Sequence, residues 1–161
     1  MKPLVRLLAI PALLLAACSP QAGAGAAPTP EAAATHPVSG LRVIPLAITH
    51  DGKTHGFRVE VAASDEEQEH GLMFRTEMGA DEGMIFPKEP AQMRAFWMRN
   101  TVIPLDMVFI GPDHRIVNII ANAEPYSLDS RPSAAPVIGV LELNGGRTAQ
   151  LGIGPGDTVT W

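Results

Sequence analysis

The chain has almost no cysteine, no long apolar run and none of the common catalytic motifs. Cys18 is the only cysteine among 161 residues, which excludes an internal disulfide framework. The apolar run from Leu4 to Leu15 is too short to span a bilayer. A nucleophile elbow, a zinc-binding His-Glu-x-x-His, paired cysteines and a phosphate-binding glycine-rich loop are all missing. Their absence argues against serine, cysteine and zinc hydrolases, dinucleotide enzymes and nucleoside triphosphatases.

Positive charge is also scarce. The chain contains 12 Lys and Arg residues against 17 Asp and Glu residues, for a formal net charge of −5. If Lys2 and Arg6 are removed with the N-terminus, 10 basic residues remain against 17 acidic ones, and the charge becomes −7. Nucleic acids and anionic membrane surfaces repel such a domain. We therefore expect no nucleic-acid partner.

The N-terminus has the pattern of a bacterial lipoprotein signal. A short basic region precedes the apolar run, and Leu15-Ala16-Ala17-Cys18 resembles a lipoprotein cleavage site. We predict a signal peptide over residues 1–17 and lipidation of Cys18. The partner is then the bilayer, contacted through the acyl anchor from the periplasmic side of a bacterial cell envelope. Ser19 slightly favours the outer over the inner membrane.

Residues 18–40 predict a tether. This segment is built mainly from Ala, Pro, Gly and Thr and has almost no large apolar residue, so it cannot bury a core. A single globular domain is predicted over residues 41–161. No feature indicates an oligomer, and we expect a monomer.

Short strands dominate the predicted domain. Asp51-Gly52 predicts a hairpin between two β-rich runs. In the second run Phe57, Val59 and Val61 alternate with Arg58 and Glu60, which predicts one half-buried strand. Ser64 to Glu67 matches a capping box and predicts one short helix after this hairpin.

The rest of the domain predicts further strands. Residues 94–110 predict a strand, a polar corner at Arg99 to Thr101, and a second strand. Residues 137–143 predict another strand, and residues 147–151 a final helix or turn. The sequence therefore predicts a mostly β (α+β) fold, a small mixed β barrel or rolled sheet of about seven or eight short strands.

Six motifs in this order give the chain a resemblance to a known family. They are Gly71-Leu72-Met73-Phe74-Arg75, Gly83-Met84-Ile85-Phe86, Phe96-Trp97-Met98-Arg99-Asn100-Thr101, Ile103-Pro104-Leu105-Asp106, Val140-Leu141-Glu142-Leu143-Asn144 and Gly156-Asp157. Together they resemble the bacterial and archaeal family called domain of unknown function 192. The resemblance covers residues 42–161 and implies a compact, mostly β fold in a protein that is often exported or membrane-anchored. It implies no established activity.

Polar residues within these apolar motifs are the candidate ligand-binding site. On strand alternation, the acids Asp106 and Glu142 both project among apolar neighbours, where a carboxylate needs a cation or several donors. Arg75 is the candidate cation and Trp97 a candidate apolar wall. The predicted ligand-binding set is Arg75, Trp97, Asn100, Thr101, Asp106 and Glu142. In the structural alternative, the same groups only form a buried ion pair and hold the polar corner together.

Two other chemistries stay open. A pair of carboxylates suits a hydrolase that uses one acid and one base. Six methionines between residues 73 and 107 could provide soft ligands for Cu(I) in an exported protein. Most of these lie in apolar runs and suit core packing, so Met78 and Met93 are the ones to test.

The prediction drawn from these observations is a cell-envelope lipoprotein that acts as a non-catalytic module for binding a small polar ligand. A Cu(I)-binding protein and a carboxylate-based hydrolase are the alternatives. No catalytic residue, metal site or cofactor is predicted.

Overall fold

A computed structural model describes residues 34–161 of the chain. The predicted signal peptide, Cys18 and most of the predicted tether lie outside the described residues. In chain order the elements are β1 (Val43–His50), β2 (Lys53–Val61), α1 (Asp65–His70), β3 (Glu82–Gln92), β4 (Ala95–Phe96), β5 (Leu105–Ile110), β6 (Ile116–Ala123), β7 (Arg131–Pro132), β8 (Val137–Asn144), α2 (Arg147–Leu151) and β9 (Thr158–Thr160). Neither described helix is long and apolar enough to cross a membrane.

Seven of the strands form one mixed sheet in the order β6-β5-β8-β3-β2-β1-β9. All neighbours are antiparallel except β2 and β3, which are parallel. The two edge strands, β6 and β9, meet at one end. There Arg115, directly before β6, forms a β-bridge with Thr158 of β9. The sheet is therefore rolled without closing into a barrel, which confirms the prediction of a mostly β rolled sheet. Nine strands are described, slightly more than the seven or eight predicted; seven form the sheet, and β4 and β7 form a separate two-residue pair.

Both faces of the rolled sheet are covered by apolar packing. The inner cluster contains residues from all seven strands of the sheet, such as Val108 and Ile110 of β5. The outer cluster contains the alternating partners on the same strand, Met107 and Phe109. Every residue of β5 is buried, because both faces of this central strand are covered.

The parallel pair β2–β3 requires the chain to cross over the sheet. Residues 62–81 make this connection, and α1 lies within it. The helix begins at the predicted capping box: the Glu67 amide donates to the Ser64 hydroxyl at 3.2 Å, and the Ser64 amide donates to the Glu67 carboxylate at 2.8 Å. Gly71 ends the helix with a φ of 49°. The crossover lies over the outer cluster.

Gly83 lets β3 approach β8 closely. A Cβ at this position would lie 2.4 Å from the Glu142 carbonyl oxygen and 2.9 Å from the Leu143 side chain. Both contacts are closer than atoms of a packed core allow. The glycine of the second family motif is therefore needed to pair the two strands.

Three local expectations are corrected by the structure. Glu60 is only 3% exposed, not on an open strand face, because the crossover and the N-terminal residues cover that face. Residues 34–40, which lie in the predicted tether, are attached to the domain: the Val43 amide donates to the Ala34 carbonyl at 2.7 Å. The predicted strand before the polar corner is reduced to the two residues of β4.

Candidate functional site

Asp106 is the most completely bonded polar group in the site region. It lies on β5 with its side chain entirely buried. One carboxylate oxygen accepts from the amides of Asn122 and Gly146 at 2.7 and 2.8 Å. The other accepts from the Thr148 amide at 2.8 Å and the Thr148 hydroxyl at 2.6 Å. Four donors therefore satisfy a carboxylate that has no cation beside it in the described part of the chain.

The bonds to Asp106 explain why a short helix begins at residue 147. The N-cap of α2 is Gly146, which has no side chain to accept from the first helical amides. Asp106 provides the acceptor from a neighbouring strand, at the helix end where amides are unpaired and negative charge is favoured. Its role is structural, and this position leaves it no free lone pair for a ligand.

Arg75 also has a structural partner, and that partner is Glu60. The guanidinium donates to both carboxylate oxygens, at 2.8 and 3.0 Å. The Ser39 hydroxyl donates to the same carboxylate, which attaches the N-terminal residues to the pair. With Arg75 about nine-tenths buried and Glu60 more so, this is a buried two-pronged ion pair. Arg75 borders a separate cavity of about 1010 Å³ and not the cavity beside Glu142.

Glu142 differs from the other two buried acids in having no hydrogen-bond partner for its carboxyl group among residues 34–161. It projects from β8 to the outer face, where Met84 and Met107 are its neighbours on the adjacent strands. The residue is 4% exposed. Burial raises the pKa of its carboxyl from 4.5 to about 8, because an apolar surrounding penalises the charged form. At neutral pH it is therefore mostly a neutral acid that can both donate and accept.

The Glu142 carboxyl borders a cavity of about 260 Å³, hereafter the Glu142 cavity. Its walls come from α1 and the turn that follows it, from the segment around β4, and from the polar corner. Its lining residues are Gln68, Glu69, His70, Gly71, Leu72, Met73, Phe86, Arg94, Ala95, Phe96, Trp97, Arg99, Thr101 and Glu142. Polar and charged side chains make up about half of this lining, so the cavity suits a small polar molecule better than an apolar one.

Trp97 and Thr101 of the predicted set line this cavity. The Trp97 ring is 48% exposed, and the Arg99 guanidinium lies over it at 5.7 Å from the ring. Thr101 is buried, and its hydroxyl donates to the Arg99 carbonyl at 3.3 Å, so its oxygen can still accept from a ligand. Trp97 therefore forms an open apolar wall above a polar interior.

Backbone hydrogen bonds join the three loops beside the cavity. The Phe74 amide donates to the Asn100 carbonyl at 2.8 Å, and the Tyr126 amide donates to the Thr101 carbonyl at 3.1 Å. Phe74, Asn100 and Tyr126 have φ values of 62°, 55° and 62°. A left-handed conformation is unfavourable for bulky side chains and is concentrated at functional sites. The surrounding structure therefore holds these three residues in a backbone conformation that their own side chains disfavour.

The structure divides the predicted set of six residues. Trp97, Thr101 and Glu142 line one cavity. Asp106 faces the opposite side of the sheet, because its antiparallel neighbour is Leu143 and not Glu142, and Arg75 pairs elsewhere. Asn100 contacts the Met73 sulfur at 3.7 Å and shapes the corner. A single pocket shared by all six residues is not formed, and neither is a facing Asp106–Glu142 acid pair.

Sequence reasoning missed Glu60, His70 and Arg94. The acid of β2 looked like an alternating surface residue, and His70 lies at the end of α1, where a histidine is normally a surface residue. Arg94 gave no signal, since an arginine beside a loop is normally solvated. Only the crossover of residues 62–81 brings the helix end next to β4 and β8, and no local pattern encodes that approach.

The methionines chosen for a copper site lie apart. Met78 lines the cavity of about 1010 Å³, whereas Met93 lies beside Ser133, 4.0 Å from its hydroxyl. Met84, Met98 and Met107 are buried in the outer cluster, as core packing predicts. Within residues 34–161, no group of three or more His, Cys, Asp or Glu side chains is arranged to hold a metal.

Fold and site together define a class of protein: a mostly β domain whose rolled mixed sheet carries a buried acid beneath a cavity walled by loops. The chain belongs to the family called domain of unknown function 192, whose model is described as "Uncharacterized ACR" and matches residues 46–161. The family resemblance seen in the six motifs is thereby confirmed.

Two solved structures are similar to the chain. A protein of unknown function from Novosphingobium aromaticivorans DSM 12444 is 55% identical, with a TM-score of 0.79, over 82% of this chain and 94% of that one. A protein from Sinorhizobium meliloti 1021, described as a "putative transcription regulator", is 41% identical, with a TM-score of 0.70, over 72% of this chain and 91% of that one. Among curated proteins no relative matches the chain.

Proposed function

We propose that the protein is a lipid-anchored module of the bacterial cell envelope that binds a small polar ligand in the Glu142 cavity without catalysing a reaction. The observation that carries the binding proposal is the Glu142 carboxyl. It is buried, it borders a cavity, and no residue in the described range hydrogen-bonds it. A carboxyl group at a cavity wall that no protein group hydrogen-bonds can bond a ligand.

Two features of the walls support binding rather than catalysis. Trp97 offers an exposed aromatic surface of the kind that ligands pack against. A second acid positioned for acid–base chemistry is missing from the Glu142 cavity interior, because Asp106 projects from the other face of the sheet and Glu69 belongs to the helical wall. The best-supported chemistry is therefore recognition.

The anchor and the location are proposed from the N-terminal sequence. Cys18 follows an apolar run in a lipoprotein-like context, and this context supports the proposal of a lipid anchor at a periplasmic membrane face. The description of the Sinorhizobium relative suggests binding to DNA, but a net charge of −5 gives this chain no electrostatic attraction to phosphates. We therefore do not extend that role to it.

The binding proposal is tested with Trp97 as the reporter. A Trp161→Phe variant leaves Trp97 as the only tryptophan, so changes in emission report on the cavity wall. We expect at least one of D-glucose, D-glucuronate, benzoate, L-alanine and putrescine to shift this emission saturably. The shift should disappear in Glu142→Met, which fills the same space without a polar group and should fold at least as stably. Saturable binding that persists unchanged in Glu142→Met contradicts the assigned site.

The anchor is tested separately by labelling cells with radioactive palmitate. We expect the full-length protein to incorporate the label and Cys18→Ala to lose it. Labelling that persists in Cys18→Ala contradicts the lipoprotein proposal and leaves the binding proposal untouched.

A further inference from the structure

The Glu142 cavity contains an arginine whose donors are incompletely used. Arg94 immediately precedes β4, and its backbone amide donates to the Ser133 hydroxyl at 3.1 Å. The guanidinium lies over the Phe96 ring at 5.2 Å, and one of its nitrogens, Nη2, donates to the Gln68 side chain at 3.1 Å. A second nitrogen, Nη1, is buried and has no hydrogen-bond partner among residues 34–161.

Arg94 also lacks a counterion within the described range. No Asp or Glu oxygen lies within salt-bridge distance of it. Desolvation lowers the pKa of its guanidinium, with Asp65 opposing that shift, yet an arginine remains charged in proteins. A partly buried cation with an unused donor is unfavourable unless an acceptor, best an anion, completes it.

The charges around the cavity favour the same ligand chemistry. Arg94 and Arg99 both line it, and among the described residues Glu69 and Glu142 are the only acids that do so. The Glu142 carboxyl is mostly protonated under those conditions, since burial raises its pKa to about 8. The cavity is thus locally cationic within a chain of net charge −5. This local sign is opposite to that of the molecule as a whole.

We propose that the Glu142 cavity selects ligands that carry a carboxylate, which pairs with Arg94 while the rest of the molecule packs against Trp97. This inference rests on the proposed binding function and adds the class of ligand. The ligand carboxylate accepts from the guanidinium of Arg94, which lines the cavity, and the protonated Glu142 and the Thr101 hydroxyl serve the polar groups on the ligand body. A volume of about 260 Å³ is below that of drug-sized sites, which limits the ligand to about one small ring.

Matched pairs of ligands test this selection. In the Trp161→Phe background, D-glucuronate is compared with D-glucose and benzoate with benzamide, each pair differing mainly in the carboxylate. We expect at least one acid to bind about tenfold or more tightly than its neutral partner, the ratio that a difference of about 1.4 kcal/mol produces. Arg94→Gln should remove the preference, and Arg94→Lys should restore it only in part because it lacks the planar fork.

Controls separate this selection from general effects of charge and folding. Arg58→Gln removes an exposed arginine outside the Glu142 cavity and should leave the preference unchanged. Thermal melting of each variant verifies that it is folded before it is titrated.

Each outcome decides one of the two proposals. Equal or tighter binding of the neutral partners overturns the carboxylate inference and leaves the binding function standing. The carboxylate inference is also overturned if inorganic phosphate displaces a bound panel compound at concentrations at which the acids do not displace it. That result would favour a phosphate-bearing ligand. If L-alanine or putrescine binds while no member of the two matched pairs does, the carboxylate inference fails and the binding function stands. If no compound of either set shifts Trp97 emission, both proposals fail.

Discussion

Asp106 and Glu142 are buried acids on neighbouring strands of one sheet, and their surroundings are opposites. Asp106 projects to the inner face, where three amides and one hydroxyl donate to it. Glu142 projects to the outer face between two methionines, and no described residue donates to its carboxyl. Burial is nearly equal, at 0% and 4% exposure. The number of donors, and not the burial, therefore separates a structural acid from one available to a ligand.

The comparison also explains why Asp106 needs no cation. Amides at a helix start carry partial positive charge, and several hydrogen bonds to one carboxylate can replace a salt bridge. The structure therefore assigns the stabilising role of Asp106 to α2 and not to Arg75.

The largest expected effect comes from removing the inner acid. Asp106→Ala should lower the free energy of unfolding by about 5 kcal/mol, because four buried donors lose their acceptor and each unpaired group costs about 1–3 kcal/mol. Urea unfolding followed by circular dichroism measures the change. Asp65→Ala, which removes a fully exposed acid, is the control and should change stability by less than about 0.5 kcal/mol. A loss below about 2 kcal/mol for Asp106→Ala would contradict the capping role.

The outer acid should respond in the opposite direction, and its effect should grow as the pH rises above about 4.5. Since the pKa of Glu142 is raised from 4.5 to about 8 in the folded state, the folded protein binds more protons than the unfolded chain between these values. Its contribution is therefore most favourable below about pH 4.5 and falls as the pH rises towards about 8. Glu142→Gln removes this loss and should stabilise the protein at pH 9 by on the order of 4 kcal/mol.

The measurement is the difference in unfolding free energy between Glu142→Gln and the original protein from pH 5 to pH 9. A difference that grows with pH supports a Glu142 carboxyl that is neutral and unpaired in the folded state. A difference that stays constant shows that Glu142 is ionised or paired in the folded state. Glu124→Gln, at an exposed position, should give no comparable trend. Asp106→Asn, the same type of exchange on the inner face, should be destabilising throughout this range.

Glu60 is a third buried acid. It differs from both Asp106 and Glu142 because a cation, Arg75, pairs with it. Arg75→Gln should lower the free energy of unfolding by about 3 kcal/mol, since breaking a buried pair leaves an uncompensated charge. Chemical denaturation gives the value, and Arg58→Gln at an exposed position on the same strand as Glu60 provides the reference. If Arg75→Gln is as stable as the reference, the Arg75–Glu60 pair contributes nothing to the fold.

The smallest expected effect concerns the strain in the loops beside the Glu142 cavity. Tyr126 has a φ of 62° and a largely exposed ring. Tyr126→Gly should raise stability by about 1 kcal/mol, because glycine adopts this conformation without the cost that a side chain incurs. Tyr126→Ala removes the same ring but keeps the Cβ, so it should show no gain. Equal effects of the two variants would argue against backbone strain.

Much of the fold follows from local sequence, because alternation, turn residues and caps are local signals. The hairpin at Asp51-Gly52, the helix start at Ser64 and the strand around Glu142 were all predictable in this way. The strand β7 and the shortness of β4 were not, since two residues carry no periodicity. Glu60 misled the prediction because alternation indicates two faces and does not tell whether the second face is covered.

The site was only partly predictable, for a related reason. Sequence shows that Asp106 and Glu142 sit among apolar residues, but the side of the sheet that each acid faces depends on the pairing of β5 with β8. Asp106 lies opposite Leu143, and Met107 lies opposite Glu142. A register shifted by one residue would have placed both acids on one face. The sequence therefore lacked one piece of information, the register between β5 and β8, which pairs residues far apart in the chain.

The parallel joint between β2 and β3 makes one segment serve both the fold and the cavity. Two parallel neighbours cannot be linked by a tight turn, so residues 62–81 make a long detour, and this detour supplies one wall of the Glu142 cavity. The same detour is fixed to the sheet by Arg75, which pairs with Glu60 of β2, and by Leu72, which is buried in the outer cluster. Shortening the link between β2 and β3 would therefore remove a buried ion pair and a cavity wall together.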